Sequence, residues 1–207
     1  MIGILGGTFN PVHYGHLRAA LEVKTIFDLA EVRLIPSATP PHRNQPEASA
    51  LMRSQMLTLA VNNQPDLIVD TRELHRAGAS YMVDTLRSLR EDFPKQPLLL
   101  FIGTDAFNHL THWHRWQHLF DYAHVVVMTR PGSVVQKIDA FFNARLVHDK
   151  QELAQINTGK LFFQAVTLLD ISATAIRHMF AEKQNPGFLL PDAVIEYVQQ
   201  NRLYQIR

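Results

Sequence analysis

The sequence predicts an α/β fold built on an open, mostly parallel sheet with helices on both faces. Three observations predict it. Apolar runs of strand length alternate with segments of helical periodicity along the whole chain. Leu98 to Ile102 and Val125 to Met128 are continuously apolar, as strands buried on both faces must be. The first apolar run, Ile2 to Leu5, ends in Gly6-Gly7 and leads into a helical pattern, which is the order strand, ligand loop, helix.

The elements follow in turn. From Gly15 to Leu29 the spacing predicts a helix with Leu17, Ala20, Leu21 and Phe27 on one side. Val32, Leu34 and Ile35 predict a second strand, stopped by Pro36. Pro40, Pro41 and Pro46 keep the stretch from Ser37 to Ala48 extended; it can be a lid or an inert connection, and position alone favours the second. Ser49 is placed to cap a helix through about Asn62, with Leu51, Met52, Met56, Leu59 and Ala60 as its buried side. Leu67 to Val69 predicts a short strand, and Ser80 a cap for a helix to about Glu91 that carries Thr85. Gly103-Thr104-Asp105 closes the strand at 98–102, and Thr129-Arg130-Pro131-Gly132 closes the one at 125–128. A weaker helical signal surrounds Ile138 to Phe142, and Leu161 to Val166 supplies the last strand. Ser172 starts a helix to about Glu182, and Pro191-Asp192 introduces a final one with Val194, Ile195 and Val198. No repeat or linker divides the 207 residues. The expectation is one domain, 1–207, Rossmann-like and doubly wound, with a short C-terminal helical part from about 171 to 207.

Composition narrows the function. Lys and Arg number 20 against 19 acidic residues, a net charge of +1 that argues against a stripe for nucleic acid. The absence of cysteine excludes disulfides, a thiolate nucleophile and Cys-based zinc sites. Neither a basic leader nor a bilayer-length apolar run is present, so no membrane partner is expected and the default location is cytoplasmic. His109, His112, His114, His118 and His124 crowd one stretch at spacings a metal can use. No carboxylate completes a zinc motif there, so a solvated polar helix face, not a metal site, is the expectation.

Chemistry gathers at two places. Gly6-Gly7 lets backbone approach a ligand, and His13 and His16 stand three apart at a helix entry, where free N–H groups also attract an anion. The Gly-Lys-Ser/Thr and G-x-G-x-x-G patterns of commoner phosphate sites are absent. A plain turn with two surface histidines is the alternative reading. Late in the chain, Ile171-Ser172-Ala173-Thr174-Ala175-Ile176-Arg177 offers Ser172 as N-cap and Thr174 with Arg177 on one face: a second anion cradle, or an ordinary capped helix.

The first segment, G-G-T-F-N-P-x-H-x-G-H, resembles the first signature of the nucleotidyltransferases related to class I aminoacyl-tRNA synthetases, and I-S-x-T-x-x-R resembles their second. Further similar segments are Pro40-Pro41-His42-Arg43, Ser80-Tyr81 with Asp84-Thr85-Leu86, Gly103-x-Asp105, Trp113, Arg130-Pro131-Gly132 and Leu189-Leu190-Pro191 to Leu203-Tyr204. In that order, over nearly all the chain, they resemble the bacterial-type nicotinate-mononucleotide adenylyltransferase family.

The resemblance implies transfer of AMP from ATP to nicotinate mononucleotide with release of pyrophosphate, magnesium arriving with the ATP phosphates. Such a transfer needs alignment and positive charge rather than a base, because the attacking phosphate oxygen is already anionic. The resemblance implies His13, His16 and Arg177 in catalysis. Around ATP it implies Gly6, Gly7, Thr8, Phe9, His13, His16, Gly103, Asp105, Arg130, Ile171, Ser172, Thr174 and Arg177. Around the mononucleotide it implies Thr8, Phe9, His42, Arg43, Tyr81, Thr85, Asp105, Trp113 and His114, with Trp113 stacked on the pyridine ring and Trp116 structural. Ala173, where many relatives carry a hydroxyl, and His114, where tyrosine is frequent, depart from the pattern. Nicotinamide mononucleotide or phosphopantetheine as acceptor, a non-catalytic nucleotide sensor and a metal-dependent hydrolase are the alternatives, and a homo-oligomer is left open.

Overall fold

The computed structural model describes residues 1–39, 46–130, 132, 134–135, 138–167 and 169–205. Strands β1 (Ile2–Gly7), β2 (Glu31–Pro36), β3 (Leu67–Val69), β4 (Leu98–Gly103), β5 (His124–Thr129) and β6 (Leu161–Ala165) form one sheet, all parallel, in the order β3-β2-β1-β4-β5-β6. The chain winds from β1 out to β3 and then returns to β4 on the other side of β1. The reversal leaves a crevice outside the carboxyl ends of β1 and β4, where ligands of such sheets bind.

The pleat explains the apolar runs. In β4, Leu98, Leu100 and Ile102 enter one core while Leu99 and Phe101 enter the other. In β5, Val125 and Val127 go with the former, Val126 and Met128 with the latter. Helices α1 (Tyr14–Ile26), α2 (Ala50–Val61), α7 (Glu152–Gln155), α8 (Ala173–Ala181) and α9 (Asp192–Gln200) supply Val23, Met56, Leu153, Ile176 and Val194 to one face. Helices α3 (Met82–Asp92), α4 (Thr104–Asn108), α5 (Leu119–Tyr122) and α6 (Ala140–Asn143) supply Leu86, Phe107, Leu119 and Phe142 to the other. The C-terminal helices therefore share a core with Leu5 and Phe9 of the first strand and loop.

Three local expectations are corrected. Ser49 does cap α2, accepting the Met52 N–H at 3.2 Å. Yet Leu51 and Leu59 are exposed, and the buried stripe is Arg53, Met56, Leu57 and Val61. The carbonyl oxygens of Thr8, Ser37, Ala38 and Ala48 draw the Arg53 guanidinium inward, and the rest of the stripe follows at helical spacing. Ser80 does not cap α3, where Tyr81 takes that position. Its hydroxyl accepts the N–H groups of Ala38 at 2.9 Å and Thr39 at 3.1 Å, tying the loop after β2 to α3. Nor is the histidine-rich stretch one helix face. His109, His112, His114 and His118 are exposed in and around the 3-10 turns Leu110–His112 and Trp116–His118, whereas His124 opens β5 in the core. The His124 Nδ1 accepts the Lys160 N–H at 3.1 Å, which leaves Nε2–H to donate to the Ile156 carbonyl at 3.0 Å.

At the end of β3, Asp70 accepts Arg33 Nη1 at 2.9 Å and Arg72 Nε at 2.9 Å, and so anchors the turn Arg72–His75. Burial alone would raise its carboxyl pKa. The hydrogen bonds from Arg72 and Arg33 outweigh burial and hold it below the ordinary value. A carboxylate depressed in the fold stabilises above its unfolded pKa, about 3.9, and that contribution is lost as pH falls through the folded value. Asp70→Asn should cost about 1–3 kcal/mol at neutral pH. Urea unfolding of both proteins should show the gap narrowing below about pH 4.

Candidate active site

The first loop begins where β1, flanked by β2 and β4, delivers Gly6 and Gly7 to the crevice. A Cβ on Gly7 would meet the Phe9 ring at 3.1 Å, so glycine makes room for a phenylalanine that itself holds φ 49°. Thr8 to Asn10 is pulled into shape from two directions. Arg53 Nη1 donates to the Thr8 carbonyl at 2.6 Å, and Arg177 Nη1 to the Asn10 carbonyl at 2.8 Å.

His13 is the N-cap of α1 and His16 its third residue, so the two imidazoles stack with centroids 3.7 Å apart. The His13 backbone N–H donates to His16 Nδ1 at 3.3 Å, which puts the proton of a neutral His16 on Nε2. A Cβ on Gly15 would lie 2.9 Å from His13 Nδ1, which is buried. Burial lowers the His13 pKa to about 4. Burial, then the adjacent His13, lowers His16 to about 3. The histidines expected as a source of positive charge are therefore neutral hydrogen-bonding groups at pH 7 in the free protein.

The second cradle meets the first. Ser172 caps α8, accepting the Ala175 N–H at 3.4 Å, and Arg177 Nη2 donates to Thr174 Oγ1 at 3.2 Å on the shared face. The other end of that guanidinium reaches Asn10, 167 positions earlier in the chain. Ile171 packs on the core beside them. Arg130, exposed at the end of β5, pairs with Asp170 at 3.6 Å. Gly103 caps α4 at the end of β4, with Asp105 exposed in the first turn.

On the same loop opens a cavity of about 240 Å³, lined by Gly6, Gly7, Thr8, Glu73, Tyr81, Trp113 and His114 among others. That is the volume of about eight waters, the scale of one substituted six-membered ring. Tyr81 and His114 stack at 4.2 Å, and Trp113 is half-buried. Trp116 instead packs on Phe141 and Phe142 at 4.8 and 5.1 Å.

Thr85 stands in α3 beside Glu73. It is wholly buried, its hydroxyl donating to Glu73 Oε1 at 2.6 Å and accepting from Arg76 Nη2 at 3.1 Å, so it braces Glu73 from behind the cavity wall. His42 and Arg43 lie outside the described residues. Sequence reasoning missed Arg53, Glu73 and Asn10. For Arg53 a signal existed: it stands three and four residues before Met56 and Leu57, on the apolar face.

Two helix entries joined through Asn10, with room for a ring against the same loop, meet the needs of a nucleotidyltransferase, whose task is to align and neutralise rather than to abstract a proton. A family model described as cytidylyltransferase-like matches residues 4–179. A protein of Methylococcus capsulatus named "Probable nicotinate-nucleotide adenylyltransferase" is 46% identical over 99% of both chains. One of the same name from Halorhodospira halophila is 45% identical over 98% of this chain and 94% of its own. The solved structure of Plasmodium falciparum nicotinic acid mononucleotide adenylyltransferase complexed with NaAD has the same fold, with a TM-score of 0.74 at 17% identity over 98% of this chain and 96% of that one. The chain belongs to the cytidylyltransferase-like family, among its nicotinate-nucleotide adenylyltransferases.

In the free protein the ring resonances of His13 and His16 should not titrate between about pH 5 and 8, the window in which an unperturbed imidazole does. Because their folded pKa values are depressed, the stability they allow is full above about pH 6.5. It declines as pH falls towards 4 and 3. An NMR titration checks the first statement and urea unfolding against pH the second.

Proposed function

We propose that this protein transfers AMP from ATP to nicotinate mononucleotide, giving nicotinic acid adenine dinucleotide and pyrophosphate in NAD biosynthesis. The observation that carries the reading is the span of Arg177 from Thr174 to Asn10. In this reading the N-termini of α1 and α8 flank one triphosphate, and Gly6 to Thr8 line the ring cavity. The name of the relatives agrees with it.

In this reading a phosphate oxygen of the mononucleotide attacks the α-phosphorus of ATP, and the bond to pyrophosphate breaks. The nucleophile arrives as an anion, so no residue takes its proton. His13 and His16 meet the triphosphate as hydrogen-bonding groups, and its charge raises their pKa and recruits protons as the complex forms. Arg177, Thr174 and the first turn of α8 hold the departing pyrophosphate. Gly103, Asp105 and Arg130, at the neighbouring strand ends, are assigned to the rest of ATP. Trp113 stacks on the pyridine ring, and Tyr81 and the main chain at His114 frame it. Magnesium would arrive with the ATP phosphates and offset their charge.

Purified protein given magnesium, ATP and an equal mixture of nicotinate mononucleotide, nicotinamide mononucleotide and phosphopantetheine should consume the first fastest and release pyrophosphate. Preferential use of another acceptor would reject the substrate assignment. His16→Ala should cut kcat by about 10²-fold or more with the fold intact; near-normal turnover would remove it from catalysis. Trp113→Ala should raise the mononucleotide KM, reflecting about 1–3 kcal/mol of lost stacking, with the KM for ATP unchanged.

A further inference from the structure

Tyr204 follows α9 and is buried, its ring 6.1 Å from that of Phe180 in α8. Its hydroxyl donates to Asn10 Oδ1 at 2.6 Å. The carbonyl of the same Asn10 receives Arg177 Nη1 at 2.8 Å, and Arg177 Nη2 holds Thr174 Oγ1 at 3.2 Å. Both acceptor groups of one loop residue are thus taken by residues 167 and 194 positions away. Thr8, two residues before, has its carbonyl held by Arg53. A carbonyl oxygen turned towards a triphosphate would repel it, and these two carbonyls are engaged by guanidinium groups instead. Burial, opposed by the charges of Arg177 and Arg53, pushes the Tyr204 phenol above its ordinary pKa, so the hydroxyl remains a donor at neutral pH.

We propose that Tyr204 is a positioning residue for nucleotidyl transfer, setting through Asn10 the place of the Arg177 guanidinium in the triphosphate cradle. It touches no substrate. Without its hydroxyl the Asn10 amide is free to turn, and the Thr8 to Asn10 turn, which keeps Phe9 at φ 49°, can relax and carry the Asn10 carbonyl away from Arg177. The inference rests on the assignment of Arg177 to the cradle made above.

The test is a double-mutant cycle in the full chain: Tyr204→Phe, which keeps the ring against Phe180, Arg177→Lys, and the two together. Pyrophosphate release gives kcat and both KM values, calorimetry gives the affinity for a non-hydrolysable ATP analogue, and melting curves establish that each variant is folded at the assay temperature. Tyr204→Phe should lower kcat/KM for ATP by about tenfold, the effect of one unmade buried hydrogen bond, with the mononucleotide KM within about twofold. In the Arg177→Lys background the further loss should be under about twofold, because the hydroxyl acts through that guanidinium. Equal fold-losses in both backgrounds would overturn the proposal and leave Tyr204 a purely structural residue, and so would unchanged kinetics in the single variant. Should Tyr204→Phe not fold, Asn10→Ala removes the same hydrogen bond from its other end and is held to the same two criteria. A parent protein that binds the analogue but does not turn over nicotinate mononucleotide would sink the substrate reading alone. The cycle in analogue affinity would still decide Tyr204.

Discussion

One guanidinium keeps the two halves of the site in register. Arg177 stands on α8, Asn10 in the loop after β1, and the bond between them joins a helix near one end of the chain to its first strand. The rest of the design makes that bond dependable. β1 is paired on both sides, so the loop starts from a strand that cannot slide, and α8 buries Ile176 and Phe180 in the core that also takes Leu5 and Phe9. A site assembled from distant segments needs such rigid supports, since an ångström of drift at the phosphorus costs catalysis heavily.

Charge is arranged with similar economy. Two imidazoles stacked at 3.7 Å in a buried setting are not both cationic in the free protein, because burial and, for His16, the neighbouring His13 lower their pKa values. Under the proposed function, positive charge develops there only when a triphosphate is present to stabilise it, which favours the charged complex over the empty site. Arg53 carries its own buried charge differently, with four carbonyl oxygens in place of a carboxylate. Those carbonyls belong to the loops after β1 and β2 and to the residue before the α2 cap, so the cost of burying a cation is converted into the shape of the crevice.

The cavity wall follows the same logic at one remove. Glu73 borders the cavity, Thr85 and Arg76 stand behind it, and Asp70 anchors the turn that carries it. The place of Thr85 on α3 was legible but its burial against Glu73 was not, because its spacing says which face it shares and not what that face meets. The same gap misplaced Leu51 and Leu59: periodicity gave a stripe, and the carbonyls that capture Arg53 chose its phase. His124 was grouped with exposed histidines nearby in sequence, yet it opens a strand whose flanks lie inside the sheet.

By itself the sequence determined what is encoded within a turn or two: parallel strands from continuous apolar runs, the strand-loop-helix around Gly6-Gly7, the pairing of His13 with His16, and the shared face of Thr174 and Arg177. These follow from periods of 2 and 3.6 residues and from capping chemistry, all of them local. Tertiary structure alone decided that Arg177 meets Asn10, that Arg53 and Tyr204 brace the same turn, that Thr85 lies behind the wall, and that the histidines are neutral. Burial and hydrogen bonds between separate elements depend on atoms outside the local window, 167 and 194 positions away in the two bonds to Asn10, and no local pattern carries that information.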